Sequence, residues 1–244
     1  MRIWGTVEDS RRTGRRRVAK TEKFHGFSEV LFESGPGEVP GPQAFLAHQD
    51  PNWVLGTHFH RTDQFQLVVR GAGTLGKHEI FPFTVHFSSK EAGYGPIVAG
   101  TEGLEYFTLR AVTDQGAYYL PEDRHHMRPG LQKRHFTAHF PQDEDYSTQS
   151  KDGSGTRAVI ECQQGGLAVW TTRVAAGKTA SAPTEIEGAG RFHVVIDGAF
   201  SMGEVRLPRL ACVFTSPDEQ PLLLAALDED SEFVTLQFPV ETER

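Results

Sequence analysis

Two histidines separated by one residue, with a glutamine four positions later, are the residues of this chain best suited to chemistry: His58, His60 and Gln64. In a strand, residues i and i+2 share a face about 6.6 Å apart, so the two imidazoles can converge on one ion held at about 2.0–2.2 Å. Gln64, beyond a three-residue turn, can offer its amide oxygen as the third of a facial ligand set and leave open positions for water or substrate. A neutral glutamine holds a cation less firmly than glutamate and cannot act as a general base. Alternation along the next segment puts Gln64, Gln66, Val68 and Arg70 on one face and Phe65, Leu67 and Val69 on the other. Gln66 and Arg70, on the ligand face, are placed to orient a carboxylate or hydroxyl of a substrate. His78 and His86, on the two strands that follow, are the nearest residues able to add a fourth ligand. The competing reading is an inert strand pair with Gln64 turned to solvent.

The elements that position these residues read as strands. Alternating or β-rich runs recur at short intervals, among them Gln64 to Val69, Thr84 to Ser88, Glu105 to Ala111, Phe192 to Ile196 and Glu232 to Phe238, with turn residues between them. No long segment keeps a 3.6-residue period, and the 25 glycines and 14 prolines fit an all-β chain with few short helices. The segment Gly56 to Gly76 recurs without a gap 127 positions later, at Pro183 to Gly203. Thr57, Phe65, Val68, Gly71, Ala72 and Gly76 return as Thr184, Phe192, Val195, Gly198, Ala199 and Gly203, whereas His58, His60 and Gln64 become Glu185, Glu187 and Arg191. The chain therefore reads as a duplicated module of two small domains, 1–150 and 151–244, joined by the polar stretch DEDYSTQSKDGSG. In the second copy a guanidinium at the third vertex would repel a metal, so a Glu–Arg ion pair filling the vacated centre is expected. If the ligand face lines a cavity, the Phe65 face must be covered by the other domain or a second subunit, which predicts a homodimer.

The spacing His58-x-His60-x3-Gln64-x6-Gly71 resembles the first motif of the cupin superfamily, G-x5-H-x-H-x3,4-E-x6-G, with Gln64 at the usual glutamate. Together with the duplication, the chain is similar to a bicupin. That resemblance implies two tandem jelly-roll β-barrels, the first holding a divalent ion, Fe, Mn, Zn or Ni, and a metal-dependent enzyme of dioxygenase, isomerase or hydrolase type acting on a small oxygenated metabolite. The counterpart of the family's second motif, Gly95 to Gly100, contains no histidine, which leaves the fourth ligand to His78, His86 or neither. The alternative is a non-enzymatic bicupin that binds a small molecule or partner through a degenerate metal site.

The string Gly71-Ala-Gly73-Thr-Leu-Gly76 satisfies G-x-G-x-x-G, but the segment after it contains Pro82 and three phenylalanines, so a β-turn is expected there and not a dinucleotide site. The net charge is −7, with a basic run from Arg11 to Lys20 expected to be a solvated arm; no aromatic platform lies beside it, and nucleic acid is not expected as a partner. Two cysteines, Cys162 and Cys212, are too few for a disulfide framework and favour a reducing compartment. Ser10-Arg11-Arg12 is followed by a polar stretch where an export signal needs an apolar one, and no window is apolar enough to span a bilayer. The expectation is a cytoplasmic protein without a membrane partner.

Overall fold

In the computed structural model, the described residues are 1–35, 38–114, 116–140, 154–185 and 187–240. Strands dominate. The described helices are one short α-helix, Val7–Arg12, and two single turns, Glu122–His126 and Gln164–Gly166. The chain divides into two compact units: Ser10–His139, and Met1–Asp9 together with Phe140–Arg244.

The first unit is built on an antiparallel sheet in the order His135–His139, Thr84–Ser88, Gln64–Leu75, Ile97–Arg110, Gln43–Gln49, His25–Phe32 and Arg16–Lys20, with a small pair, His58–Phe59 and Tyr118–Tyr119, at one end. Period-2 alternation works here as a sorting device. On Ile97–Arg110, Tyr106, Thr108 and Arg110 face a cavity, whereas Phe107 and Leu109 between them are fully buried on the opposite face. The strand Gln64–Leu75 repeats the pattern in register, Gln66 opposite Thr108 and Phe65 opposite Leu109. Deeper in the unit the inward side becomes apolar, with Val68, Leu75, Ile97, Leu104 and Tyr106 in one cluster. The sheet therefore has one polar end and one greasy end.

The second unit has a six-stranded sheet, ordered Arg2–Gly5, Cys212–Thr215, Arg191–Asp197, Ser231–Gln237, Ala168–Val174 and Gly155–Ile160, and a four-stranded one. Its core gathers Val174, Val195, Phe200, Leu207, Val213, Leu224 and Phe233. The edge strand Arg2–Gly5 comes from the start of the chain, pairing with Cys212–Thr215 and covering an otherwise open edge. Residues 1–9 thus fold with the second unit, a non-contiguous arrangement that the division at 150 did not anticipate. That boundary and most of the DEDYSTQSKDGSG stretch lie outside the described residues.

Other expectations meet the structure as follows. The basic run is an edge strand, not a free arm: Arg16–Lys20 pairs with His25–Phe32, Arg11 bonds the buried Glu29, and Arg16 lies over Phe27. Gly71 to Gly76 runs as strand into a tight turn, with Gly71 at φ +78 and an added Cβ falling 2.1 Å from the Gly103 carbonyl oxygen. Phe65, Leu67, Val69, Phe192, Val194 and Ile196 are buried in the single chain, so their exposure does not call for a second subunit. No helix of the described residues is long and apolar enough to cross a membrane.

Candidate functional site

The polar end of the first unit holds a cavity of about 180 Å³. Four of the residues singled out from sequence line it: His58, His60, Gln64 and Gln66. His58 is held on both sides, paired with Tyr119 and bridged to Tyr94, while Phe59 between the two histidines turns away and stacks on Tyr118. The His58 and His60 rings meet edge to face with centroids 5.3 Å apart.

Hydrogen bonding fixes the tautomers. His58 Nδ1 lies 2.8 Å from the Gly56 carbonyl, which can only accept, so Nδ1 carries the proton and Nε2 keeps a free lone pair. His60 Nδ1 donates to the Asp114 carboxylate, leaving Nε2 as an acceptor. Burial pushes the His58 pKa down to about 3, with repulsion from His60 adding to it. The His60 pKa is also lowered, by burial and the nearby Arg110, although Asp114 opposes the shift. Both imidazoles are neutral at physiological pH.

Arg110 is the residue that sequence reasoning missed, and it sits among the expected ligands. It is 5 % exposed. Its Nη2 donates to Gln64 Oε1 at 2.7 Å, Nε reaches Gln64 Oε1 at 3.1 Å, and Nη1 reaches Gln43 Oε1 at 2.6 Å. Nη2 also lies 3.1 Å from His60 Nε2 and 3.3 Å from Nδ1, nearly equidistant from the two, so the guanidinium rests on the face of the imidazole and does not point along the in-plane lone pair of Nε2. Gln64 completes the network by donating from Nε2 to the Tyr94 hydroxyl. Burial raises the Tyr94 pKa, so the phenol keeps its proton. The signal for Arg110 was present in the sequence, since it shares strand parity with Tyr106 and Thr108. Asp114 and Tyr94 come from irregular segments and carried no such signal.

The remaining expected residues lie elsewhere. His86 is buried beside the cavity, cross-strand from Gln66, and the two border a smaller void of about 10 Å³. Its Nδ1 bonds Thr137 Oγ1, and its Nε2 has no protein partner. His78 is exposed on the short strand His78–Ile80 and does not reach the cavity. Arg70 is exposed past the apolar end and bonds Glu105 at 3.1 Å, away from any substrate position in the cavity.

A divalent ion is the group that the His58/His60/Gln64 spacing implies, and the donor set can be tested for it. The Gln64 oxygen is taken by two guanidinium N–H groups, and the positive charge of Arg110, resting on the face of His60, would lie against the ion. Among the described residues no three His, Cys, Asp or Glu side chains gather to hold one. As arranged, these side chains do not fit a divalent ion: the facial set expected of His58, His60 and Gln64, with His78 or His86 as fourth ligand, is replaced by a guanidinium-centred network.

No family model matches the sequence, and no curated protein matches it. Comparison with solved structures does give matches over the whole chain. A candidate dioxygenase from Nostoc punctiforme superimposes with a TM-score of 0.66 at 14 % identity, covering 100 % of this chain and 85 % of that one. The bacterial pirin YhhW from Escherichia coli, solved in complex with nickel(II), gives 0.60 at 14 %, covering 98 % and 99 %. Salicylate 1,2-dioxygenase from Pseudoaminobacter salicylatoxidans gives 0.62 at 12 %, covering 97 % and 81 %. At these identities the likeness establishes the fold, which is all-β and of the cupin jelly-roll type.

Proposed function

We propose that this chain is a bicupin whose first barrel takes a small oxygenated metabolite into the cavity bordered by His58, His60, Gln64, Gln66 and Arg110, and whose second barrel is structural. The observation that carries this reading is the convergence of those five polar side chains on one cavity at the end of an apolar barrel. Such a concave, mostly apolar pocket with a few convergent polar groups is the usual form of a small-molecule site. Because Arg110 holds the Gln64 oxygen and sets a positive charge on the face of His60, the reading is of a site that works through the guanidinium and the neutral imidazoles. In this it follows the degenerate-site alternative.

A metal-dependent enzyme is the second reading, favoured by the free His58 Nε2 beside His60 and by the nickel(II) held in the YhhW structure. Elemental analysis of protein purified without chelator separates the two. The expected result is less than about a tenth of an ion per chain, with no change in melting temperature on adding Fe(II), Mn(II), Zn(II) or Ni(II). A stoichiometric ion lost in His58→Ala would establish the metal reading instead. Native mass spectrometry of the same material, expected to reveal a co-purifying small molecule released by denaturation, tests the pocket itself.

A further inference from the structure

We propose that the ligand of this cavity is an anion, the carboxylate of a small hydroxylated acid, and that Arg110 is its anchor; the inference rests on the small-molecule reading above and names the class of molecule.

Among the described residues, every group that Arg110 touches is neutral: the amide oxygens of Gln43 and Gln64 and the ring of His60. Asp114 attracts the guanidinium through space, but its carboxylate is hydrogen-bonded to His60 Nδ1. Gln43 relays part of the charge outward by donating to Glu33 at 3.0 Å, but Glu33 also serves Arg17. The Phe45 ring, 5.7 Å away, adds a weak cation–π contact. Other deeply buried charges in this barrel have contact partners: Glu29 is bonded by Arg11, and Glu91 by Arg128 at 2.7 Å. A buried cation with no acid in contact is costly, and the cost is relieved when a ligand supplies negative charge at hydrogen-bond distance.

The other polar atoms define the rest of the ligand. Gln64 donates to the oxygen of Tyr94, so the phenolic proton is free to point at a carboxylate oxygen. His58 Nε2 is a bare acceptor facing the same space, and Gln66, 5 % exposed, has an amide oxygen with no protein partner. These two acceptors require a donor, which a hydroxyl supplies and a plain carboxylate does not. Phe24, Phe45 and Leu55 form the apolar wall. A space of about 180 Å³ compares with the roughly 150 Å³ that accommodates benzene in an engineered protein cavity, so a ligand of about ten heavy atoms fills it.

The test is calorimetric titration of the full chain with lactate and mandelate, against the neutral lactamide and mandelamide and against phenylacetate, which lacks the hydroxyl. The acids are expected to bind at least about tenfold more tightly than their amides, and mandelate more tightly than phenylacetate. In Arg110→Gln the acid-to-amide ratio should fall to about one, while Arg110→Lys keeps part of it. Should neither variant fold, the wild-type ratio is paired with an anomalous map of bromide-soaked crystals, in which bromide beside the Arg110 guanidinium is expected. Amides binding as well as acids would overturn the anion assignment and leave the small-molecule site standing. Absence of binding by both series would remove the site as well.

Discussion

The two barrels carry the same pair of residues in exchanged positions. In the first, Gln64 stands on one strand and Arg110 on its neighbour; at the same offset in the second, Arg191 stands where Gln64 was and Gln237 where Arg110 was, and those two are register partners. The exchange changes what each guanidinium can do. Arg110 lies on the face of His60 and donates to the amide oxygens of Gln64 and Gln43, side chains that border the same cavity or stand beside it. Arg191, equally buried, donates to the Thr184 and Thr215 hydroxyls and the Ser216 and Glu219 carbonyls, in a larger cavity of about 280 Å³ also bordered by the acids Glu185, Asp218 and Glu219. The expected Glu–Arg pair is not what forms: Glu185 and Glu187 are exposed, and the contacts of Arg191 are with hydroxyls and backbone. Gln237 turns instead to the backbone of Gly166 and Glu187. The interiors differ in the same sense. At the position of Gln66 the second barrel has His193, both of whose ring nitrogens are satisfied, by Thr235 and Thr215 at 3.1 Å each. In the first barrel Gln66 and His86 each keep an atom without a partner. A closed polar network holds a fold together, whereas an open one is ready for a ligand.

Removing packing from the closed barrel should have the largest effect. Phe200 is fully buried in the second core, edge to face with Phe233, and Phe200→Ala should cost about 3–5 kcal/mol in urea unfolding. A loss below about 1 kcal/mol would mean that this barrel is not the tightly packed one. Next come the two equivalent glycines. Gly71→Ala places a Cβ against the Gly103 backbone, whereas Gly198→Ala, also at positive φ, meets the Ser231 side chain first at 2.2 Å. Both should destabilise by about 2–4 kcal/mol, because the Gly103 carbonyl cannot turn away and at Gly198 the Ser231 Cβ and Cα, 2.8 and 3.0 Å from the added atom, stay in place when the hydroxyl rotates; a loss below about 1 kcal/mol at either would mean that the strand gives way there.

A pH titration sharpens the contrast further. Burial lowers the His193 pKa to about 3, whereas the unfolded chain binds the proton near pH 6.5. The unfolded state then holds more protons throughout that window, so the contribution of His193 is complete above about pH 6.5 and declines as the pH falls toward 3, by at most about 1.4 kcal/mol per unit. Urea midpoints followed from pH 7 to 4 should fall more steeply in the wild type than in His193→Gln; parallel curves would mean that the ring is not held neutral. The smallest effect is at Arg70. With its side chain mostly exposed and paired only to Glu105, Arg70→Ala should cost under about 1 kcal/mol and leave ligand affinity unchanged, and a loss of affinity would bring it back into the site.

The sequence carried much of this architecture. Strand alternation separated Gln64 and Gln66 from Phe65 and Leu67, and the repeat announced two units of one kind, because a period of two and a fixed offset are local properties that survive without coordinates. The His58-x-His60 spacing was enough to bring two rings to one place. It could not tell that a guanidinium would lie against one of them. His78 and Arg70 share a strand or a parity with inward residues yet end at the exposed tip, since only the length of the barrel decides where a strand leaves the core. Arg110, 46 positions from Gln64 in sequence, meets it across a ladder, and the start of the chain closes the edge of the distant unit. Those pairings are set by long-range register and packing. Sequence by itself determined which residues face inward, and the tertiary structure decided that the cation among them is a guanidinium, because only the folded sheet brings a charge from one strand against the acceptors of another.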